Sequence, residues 1–325
     1  MIKYLGSKRL LVPHILRIVE GLGEVRTVID LFSGTSRVGH ALKAAGRRVL
    51  ANDHNVYAET LARCYVQADR EDVLGDATRL VAELGALKGE PGYVTRTFCE
   101  EARFFQPKNG ARIDAIRRAI ADKHLDPELE AVLLVALIEA ADRVDSTTGV
   151  QMAYLKTWAA RAHGDLELRV PEVLSRATCG KGQAFGLDAV EAAARLEGDL
   201  AYLDPPYNQH SYLGNYHIWE TIVRGDAPAT YGVARKRVDC RERRSPFNTR
   251  AGIRAAMQAL VDAVRAPLLV VSFSDEGYLA RPELEAMLAR RGHVRVFSFD
   301  YKRYVGAQIE IFNPRGEKVG RVGHL

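Results

Sequence analysis

Asp204-Pro205-Pro206-Tyr207 brings together, in four consecutive residues, the groups needed to act on an aromatic amine. The lone pair of an exocyclic amino group is delocalised into its ring, so the nitrogen needs added electron density before it can attack. Two acceptors aimed at the NH2 supply it. The Asp204 carboxylate and the Pro205 carbonyl can take the two hydrogens, Pro205 and Pro206 stiffen the loop, and Tyr207 offers a flat face for a base turned out of its stack. Alone, the tetrapeptide would read as a proline turn with a tyrosine beside it. It follows the apolar run Leu200-Ala201-Tyr202-Leu203, however, and so reads as a reactive loop at the end of a strand.

Such a loop needs a group donor held next to it. Thr27-Val28-Ile29-Asp30-Leu31-Phe32-Ser33-Gly34-Thr35-Ser36-Arg37-Val38-Gly39 reads as a buried strand, a glycine-bearing turn and a helix, the layout of a Rossmann-like nucleotide site. A second strand, Arg48 to Asn52, ends at Asp53. Roughly twenty residues after such a turn, a carboxylate at a strand end is placed to hold ribose hydroxyls. Ser36 stands where a second turn glycine would be expected, and the full G-x-G-x-x-G spacing is absent. That argues against NAD or FAD, whose pyrophosphate needs close backbone approach. S-adenosylmethionine has a ribose and an adenine but no phosphate, tolerates a looser turn, and still needs Phe32, Gly34 and an acidic partner.

Taken in this order, the segments resemble the Dam-like class of adenine-N6-specific DNA methyltransferases over most of the chain. The opening Lys3-Tyr4-Leu5-Gly6-Ser7-Lys8-Arg9 is similar to that class's N-terminal motif, which implies that Tyr4 and Lys8 lie over the methionine end of the cofactor, with Lys8 near the catalytic pocket. The resemblance further implies cofactor contacts from Asp30, Phe32, Ser33, Gly34 and Asp53, and an adenine contact from Asp188 in Phe185-Gly186-Leu187-Asp188. Asn208 to Glu220 resembles the extension that enters a helix near the flipped base, so Gln209 and Tyr212 are expected to touch DNA. Tyr216, Ile218 and Trp219 read equally as helix packing. Tyr301 to Ile309 also resembles the family and, between the alternating runs Val294–Phe299 and Gln308–Phe312, reads as the tip of a late hairpin.

With 325 residues, 47% apolar and 27% charged, the chain is globular and long enough for one α/β core plus a subdomain. No apolar run approaches the roughly twenty residues of a membrane helix, and the candidate Ala131 to Ala141 is interrupted by Glu139. Lys3, Lys8 and Arg9 interrupt the N-terminal apolar stretch, so no signal peptide is expected and the cytoplasm is the expected compartment. Cys64, Cys99, Cys179 and Cys240 are widely separated, which suggests neither a metal site nor a disulfide framework. None follows a proline, which disfavours cytosine carbon-5 chemistry through a Pro-Cys nucleophile.

A net charge of +5 suits a polyanion partner, and its distribution is more telling. Arg235, Lys236, Arg237, Arg241, Arg243, Arg244, Arg250 and Arg254 follow the catalytic loop, diluted by Asp239 and Glu242, with Phe247, Asn248 and Thr249 among them. As a group they suit DNA phosphates at the catalytic mouth; singly, each reads as part of a solvated face.

The expected fold is α/β: a Rossmann-like doubly wound methyltransferase sheet with an inserted, mainly helical target-recognition domain. Its boundaries are 1–75 for the cofactor part, 76–181 for the insert and 182–325 for the catalytic part. Glu100–Ile120, Pro127–Ala141 and Met152–Ala162 show helical spacing, including Ile113, Ile116 and Ile120. The Asp145-Ser146-Thr147-Thr148-Gly149 loop, Lys156 and Trp158 are candidates for DNA contact, or for an interhelical turn and core packing. The expected activity is S-adenosylmethionine-dependent methylation of adenine N6 in double-stranded DNA by base flipping, with a companion restriction endonuclease as a further partner. Cytosine N4 is the nearest alternative, followed by RNA or a protein amide. A silent DNA-binding scaffold and an NAD-dependent oxidoreductase are the alternatives of other classes.

Overall fold

The computed structural model describes residues 1–6 and 8–299, together with the backbone of two short strands, Glu310–Phe312 and Lys318–Arg321. In chain order, α1 (Val12–Glu20) leads to β1 (Thr27–Asp30), α2 (Arg37–Ala44) to β2 (Arg48–Asn52), and α3 (Val56–Ala62) through a π-helical turn into a helical middle. That middle contains α4 (Arg70–Gly85), α5 (Pro107–Asp122) and α6 (Pro127–Arg143). The chain returns through β3 (Gln183–Phe185), α7 (Ala189–Arg195) and β4 (Leu200–Leu203). Next come α8 (Tyr212–Asn215), α9 (His217–Arg224) and the two-residue strands β5 (Thr230–Tyr231) and β6 (Lys236–Arg237). Last are α10 (Ile253–Ala263), β7 (Leu268–Val271), α11 (Arg281–Ala289), and the paired β8 (Glu310–Phe312) and β9 (Lys318–Arg321).

Five strands form one parallel sheet in the order β3-β2-β1-β4-β7. The chain winds outward from β1 to β3, then reverses to lay β4 against the other side of β1. Asp30 pairs with Tyr202 in that register, so the loops after β1 and β4 leave the sheet side by side. Strand pleating sends alternate residues to opposite faces. Val28, Leu200 and Tyr202 pack with Ile15 and Val19 of α1 and Leu42 of α2, whereas Ile29, Ala201 and Leu203 pack with α7, α10 and α11.

The helical middle is built as its spacing predicts at two places. Pro107 occupies the first turn of α5, and Ile113, Ile116 and Ile120 are buried one turn apart. Asp126 caps α6 by accepting from the Glu128 amide at 2.9 Å, and Pro127 follows it. Glu139, the interruption in the apolar run, accepts the Tyr65 hydroxyl at 2.5 Å. One apolar cluster runs through α3, α4, α5, α6 and α9, so these helices share their core with elements flanking the sheet.

Three expectations from spacing differ from the fold. Glu100–Ile120 is helical only from Pro107 onward: a π-helical turn ends at Glu100, and residues 101–106 form no helix. Met152–Ala162 is not a helix; only Ala160–His163 forms a 3-10 turn. Its backbone instead bonds to the preceding turn, Leu155 N to Ser146 O at 2.9 Å and Ala159 N to Ser146 Oγ at 3.1 Å. Val294–Phe299 takes no regular structure, and the described late hairpin is β8 with β9. The Tyr301–Ile309 segment lies outside the described residues. Among the described residues, no helix is long and apolar enough to cross a membrane.

A buried ion pair fastens α2 to the start of α4. Lys43 Nζ lies 2.9 Å from Asp69 and 2.6 Å from the Ala68 carbonyl, and Arg176 closes on Asp69 from the surface at 2.6 Å. Asp69→Ala would strand a fully buried ammonium, and should lower the unfolding free energy by about 3–5 kcal/mol. Arg176→Ala, which removes a half-exposed partner, should cost about 1 kcal/mol or less. Urea denaturation of both variants measures the contrast; equal losses would contradict it.

Candidate active site

At the carboxyl ends of β1, β2, β3 and β4 the sheet opens into a cavity of about 440 Å³. The turn after β1 forms its floor. Gly34 takes φ +51°, and a Cβ there would sit 3.3 Å from the Tyr4 hydroxyl, so a side chain would be both strained and crowded. Ser36, at the position expected for a second glycine, nevertheless adopts a left-handed φ of +58°. Its amide bonds to Ser33 O at 2.7 Å, which holds the turn. Asp53, from the end of β2, accepts the Gly34 amide at 3.1 Å and the Asn55 amide at 3.0 Å. Asp188 follows β3, caps α7 through Val190 N at 2.9 Å and also lines the cavity.

Asp30 and Asp204 come from adjacent strands and face one another electrostatically. Asp30 is buried, and neither carboxyl oxygen meets a donor at full hydrogen-bond geometry. Burial first and the Asp204 carboxylate second push the Asp30 pKa up to about 7, opposed by weaker approaches of Ser33 and Phe32. Burial also raises Asp204, but Lys8 Nζ, 2.9 Å from its Oδ1, and the Ser272 hydroxyl pull it back. The loop continues with the Tyr207 ring 5.7 Å from Phe273 and with the Tyr207 carbonyl accepting the Tyr278 amide at 2.9 Å.

The N-terminal segment is strapped across this cavity. Tyr4 stacks between Tyr212 and Tyr216, with centroids 5.2 and 4.6 Å away, and its hydroxyl lies 3.2 Å from that of Tyr57. Lys3 anchors the strap to Asp145 at 2.8 Å and to the Asp142 carbonyl at 2.6 Å.

The cavity thus brings together Tyr4, Lys8, Asp30, Phe32, Ser33, Gly34, Asp53, Asp188, Asp204, Pro206 and Tyr212. Tyr212 lies within its wall, stacked on Tyr4, rather than on an outer face. Gln209 is exposed, outside the cavity lining, and accepts the Tyr278 hydroxyl at 2.8 Å. The basic stretch divides. Arg237 does not belong to an exposed basic face: it is 2% exposed and fully engaged by Asp226 at 2.6 Å and Asp239 at 3.1 Å, which corrects its assignment as a phosphate contact. Arg243 turns into the cavity wall, donating to Glu220 at 2.9 Å and to the His54 carbonyl at 2.8 Å. Arg244 is exposed on the rim, Arg235 pairs with Glu101 at 3.5 Å, and Lys236 is half-buried, its pKa lowered by desolvation. Lys156 is exposed and remote in sequence, its carbonyl taken by Arg103. Asp145, Ser146 and Thr147 are buried, the first paired with Lys3 and Arg161, whereas Thr148 of the same loop is exposed. Trp219 is core.

Three participants escaped sequence reasoning. Glu220 is wholly buried and joins the Tyr57 amide, at 3.0 Å, to Arg243. Phe247 is buried with its ring edge-on to Phe32 at 5.3 Å, and Asn248 reaches the loop after Tyr207. An uncharged Phe-Asn pair inside a basic stretch was the signal available for the last two. Among the described residues, no group of three or more His, Cys, Asp or Glu side chains could hold a metal ion.

The model of the D12 class N6 adenine-specific DNA methyltransferases matches residues 4–253, from Tyr4 at the strap to the start of α10. The chain belongs to this family. It is 30% identical over 324 residues to the Type II methyltransferase M.FokI of Planomicrobium okeanokoites, an alignment covering 93% of this chain and 49% of the relative. It is 28% identical over 305 residues to the Type II methyltransferase M.NlaIII of Neisseria lactamica, covering 91% and 89% of the two chains. Modification methylase StsI of Streptococcus sanguinis is 27% identical, with 93% and 48% covered. The chain therefore spans about half the length of M.FokI and StsI and most of M.NlaIII.

The Asp30 environment has a measurable consequence. An acid whose pKa is raised by folding favours the fold while protonated, so its contribution is full below the ordinary carboxylate pKa of about 4 and is lost as pH rises through about 7. Asp30→Asn, which cannot ionise, should gain stability relative to the parent protein across that window and hold a constant advantage above it. Guanidinium unfolding at a series of pH values tests this, and a difference independent of pH would place the Asp30 pKa in the normal range.

Proposed function

We propose that this protein transfers the methyl group of S-adenosylmethionine to N6 of an adenine flipped out of duplex DNA, using Asp204, Pro205, Pro206 and Tyr207. The observation that carries this reading is the adjacency of Asp204, paired with Lys8, to the cavity floored by Asp30, Gly34 and Asp53. The lining fits the cofactor chemically. Phe32, Leu187, Pro246 and Phe247 supply apolar surface for an adenine, Asp53 keeps acceptor capacity toward a ribose, and Asp30, with its pKa raised to about 7, would be drawn to its charged form by a cationic methionine end. Asp53 and Asp188 in the lining would disfavour a pyrophosphate. This electrostatic balance supports S-adenosylmethionine over a dinucleotide.

When bound, that cofactor supplies an electrophilic methyl group; the chain's own residues do the rest. Lys8 keeps Asp204 in its acceptor form against burial, and the Asp204 carboxylate and Pro205 carbonyl take the two amine hydrogens, directing the nitrogen lone pair along the line of attack. Tyr207 stacks on the extruded base. Arg244, Arg235 and Lys236, with Gln209, contact the DNA, while the 76–181 segment, including Lys156, reads the target sequence, and 1–75 and 182–325 make up the methyltransferase unit. The relatives' names, Type II methyltransferase and modification methylase, support a companion restriction endonuclease and hence action in the cytoplasm.

Asp204→Ala should slow methyl transfer by at least about a hundredfold while leaving cofactor affinity, read by calorimetry, nearly intact. Turnover near the parent level would remove Asp204 from the chemistry. Tyr207→Phe should stay far more active than Tyr207→Ala, because stacking contributes about 1–3 kcal/mol per base; equal rates would eliminate stacking from the account. With labelled cofactor and duplex DNA, nucleoside mass spectrometry should find the label in N6-methyladenine. Label on cytosine would keep the amine chemistry and change the base, and label on RNA or protein alone would overturn the DNA substrate.

A further inference from the structure

We infer that Asn248 is a positioning residue for methyl transfer: its side-chain amide clamps the segment after Tyr207 and thereby fixes the aim of Asp204 and Pro205. Asn248 Nδ2 donates to the Asn208 carbonyl at 2.8 Å and to the His210 carbonyl at 3.0 Å. Only the nitrogen of an amide can satisfy two carbonyls, so both of its hydrogens are committed to this loop.

The loop needs such an anchor because its own backbone supplies little. It leaves the sheet at Leu203 and re-enters regular structure at α8, whose Ser211 cap accepts the Gly214 amide at 3.2 Å. Between these points, the Tyr207 carbonyl is held by the Tyr278 amide, Gln209 by the Tyr278 hydroxyl, and the Asn208 side chain by the His210 amide at 3.1 Å. Asn248 holds the Asn208 and His210 carbonyls and alternates along the chain with Tyr278, which holds Tyr207 and Gln209, so the two residues grip alternate positions of one short span. Two prolines stiffen the front of the loop but cannot orient it as a body. That orientation comes from outside.

Asn248 also carries a reference to the cofactor side. It ends the 3-10 turn Pro246–Asn248, in which Ser245 Oγ accepts the Phe247 amide at 3.3 Å, and Phe247 packs edge-on against Phe32 in the turn after β1. One short segment therefore touches the cofactor turn with one residue and the catalytic loop with the next. It lines the cavity without being assigned any contact with the reacting atoms. This inference rests on the proposed amine methylation for its meaning, and on the loop geometry for its content.

Asn248→Asp preserves size but loses both donors at neutral pH, and Asn248→Ala removes them outright. In the full chain, both should show faster amide hydrogen exchange in residues 207–211, with the sheet unchanged and the melting temperature nearly so. Turnover should fall by about 10- to 100-fold, the loss expected when acceptors are misdirected by a fraction of an ångström to about 1 Å, with KM for S-adenosylmethionine nearly constant. The aspartate variant adds a signature that a structural role would not produce. Its kcat relative to the parent protein should rise as pH is lowered, because a protonated carboxyl recovers one donor, while the alanine ratio stays flat. Unchanged loop exchange in both variants would overturn the clamp, as would parallel losses of turnover, cofactor affinity and melting temperature. If the parent protein methylates no adenine, the functional reading fails, and the exchange measurement still decides the clamp.

Discussion

Everything at the site depends on the parallel pairing of β1 with β4. Their register, Asp30 opposite Tyr202, brings a turn from residues 30–36 and a loop from residues 204–210 to one edge of the sheet, although the whole helical middle separates them in sequence. The reversal of winding at β1 creates the crevice, since neighbouring loops there turn toward opposite faces of the sheet and leave space between them. Close packing enforces the pairing. Val28 and Leu200 bury against one helical layer, Ile29 and Ala201 against the other, so a one-residue slip of either strand would exchange that strand's two faces.

Buried charge follows from that pairing. Two carboxyls, Asp30 and Asp204, stand at the ends of adjacent strands where desolvation raises both. Lys8 relieves one of them, and it arrives from outside the sheet, on a strap fixed by the Tyr212-Tyr4-Tyr216 stack and by Lys3 on Asp145. The result is an asymmetric pair. Asp204 has an ammonium partner and is available as an acceptor, whereas Asp30 is held nearer to its neutral form. Two identical groups on neighbouring strands thereby acquire different electrostatic characters, without a metal ion being invoked.

The basic stretch shows why charge in sequence is an incomplete guide to charge on a surface. Arg237 neutralises Asp226 and Asp239 and holds the short β5–β6 ladder against Thr221 of α9. Arg243 reaches inward to Glu220, which itself holds the Tyr57 amide. Arg243 is part of the cavity wall, Arg237 lies outside the lining, and Arg241, Arg244, Arg250 and Arg254 remain exposed.

Local residue patterns were enough to read the α/β class, the strand-turn-helix at Thr27–Gly39, the carboxylate at Asp53 and the Asp204–Tyr207 loop after a strand, because strand periodicity and turn chemistry act over a few residues. The helices at Pro107–Asp122 and Pro127–Arg143 were legible for the same reason, carried by apolar spacing, although the first was read as starting at Glu100. Met152–Ala162 was not, because its helical spacing lost to hydrogen bonds with Ser146, a partner outside the segment. Tertiary structure alone decided that Lys8 meets Asp204, that Arg237 is buried, that Tyr212 stacks on Tyr4 and that Asn248 grips the loop at Asn208 and His210. Each of those contacts joins residues whose neighbours in sequence say nothing of one another, and a side chain's partner is set by where the packed backbone delivers it.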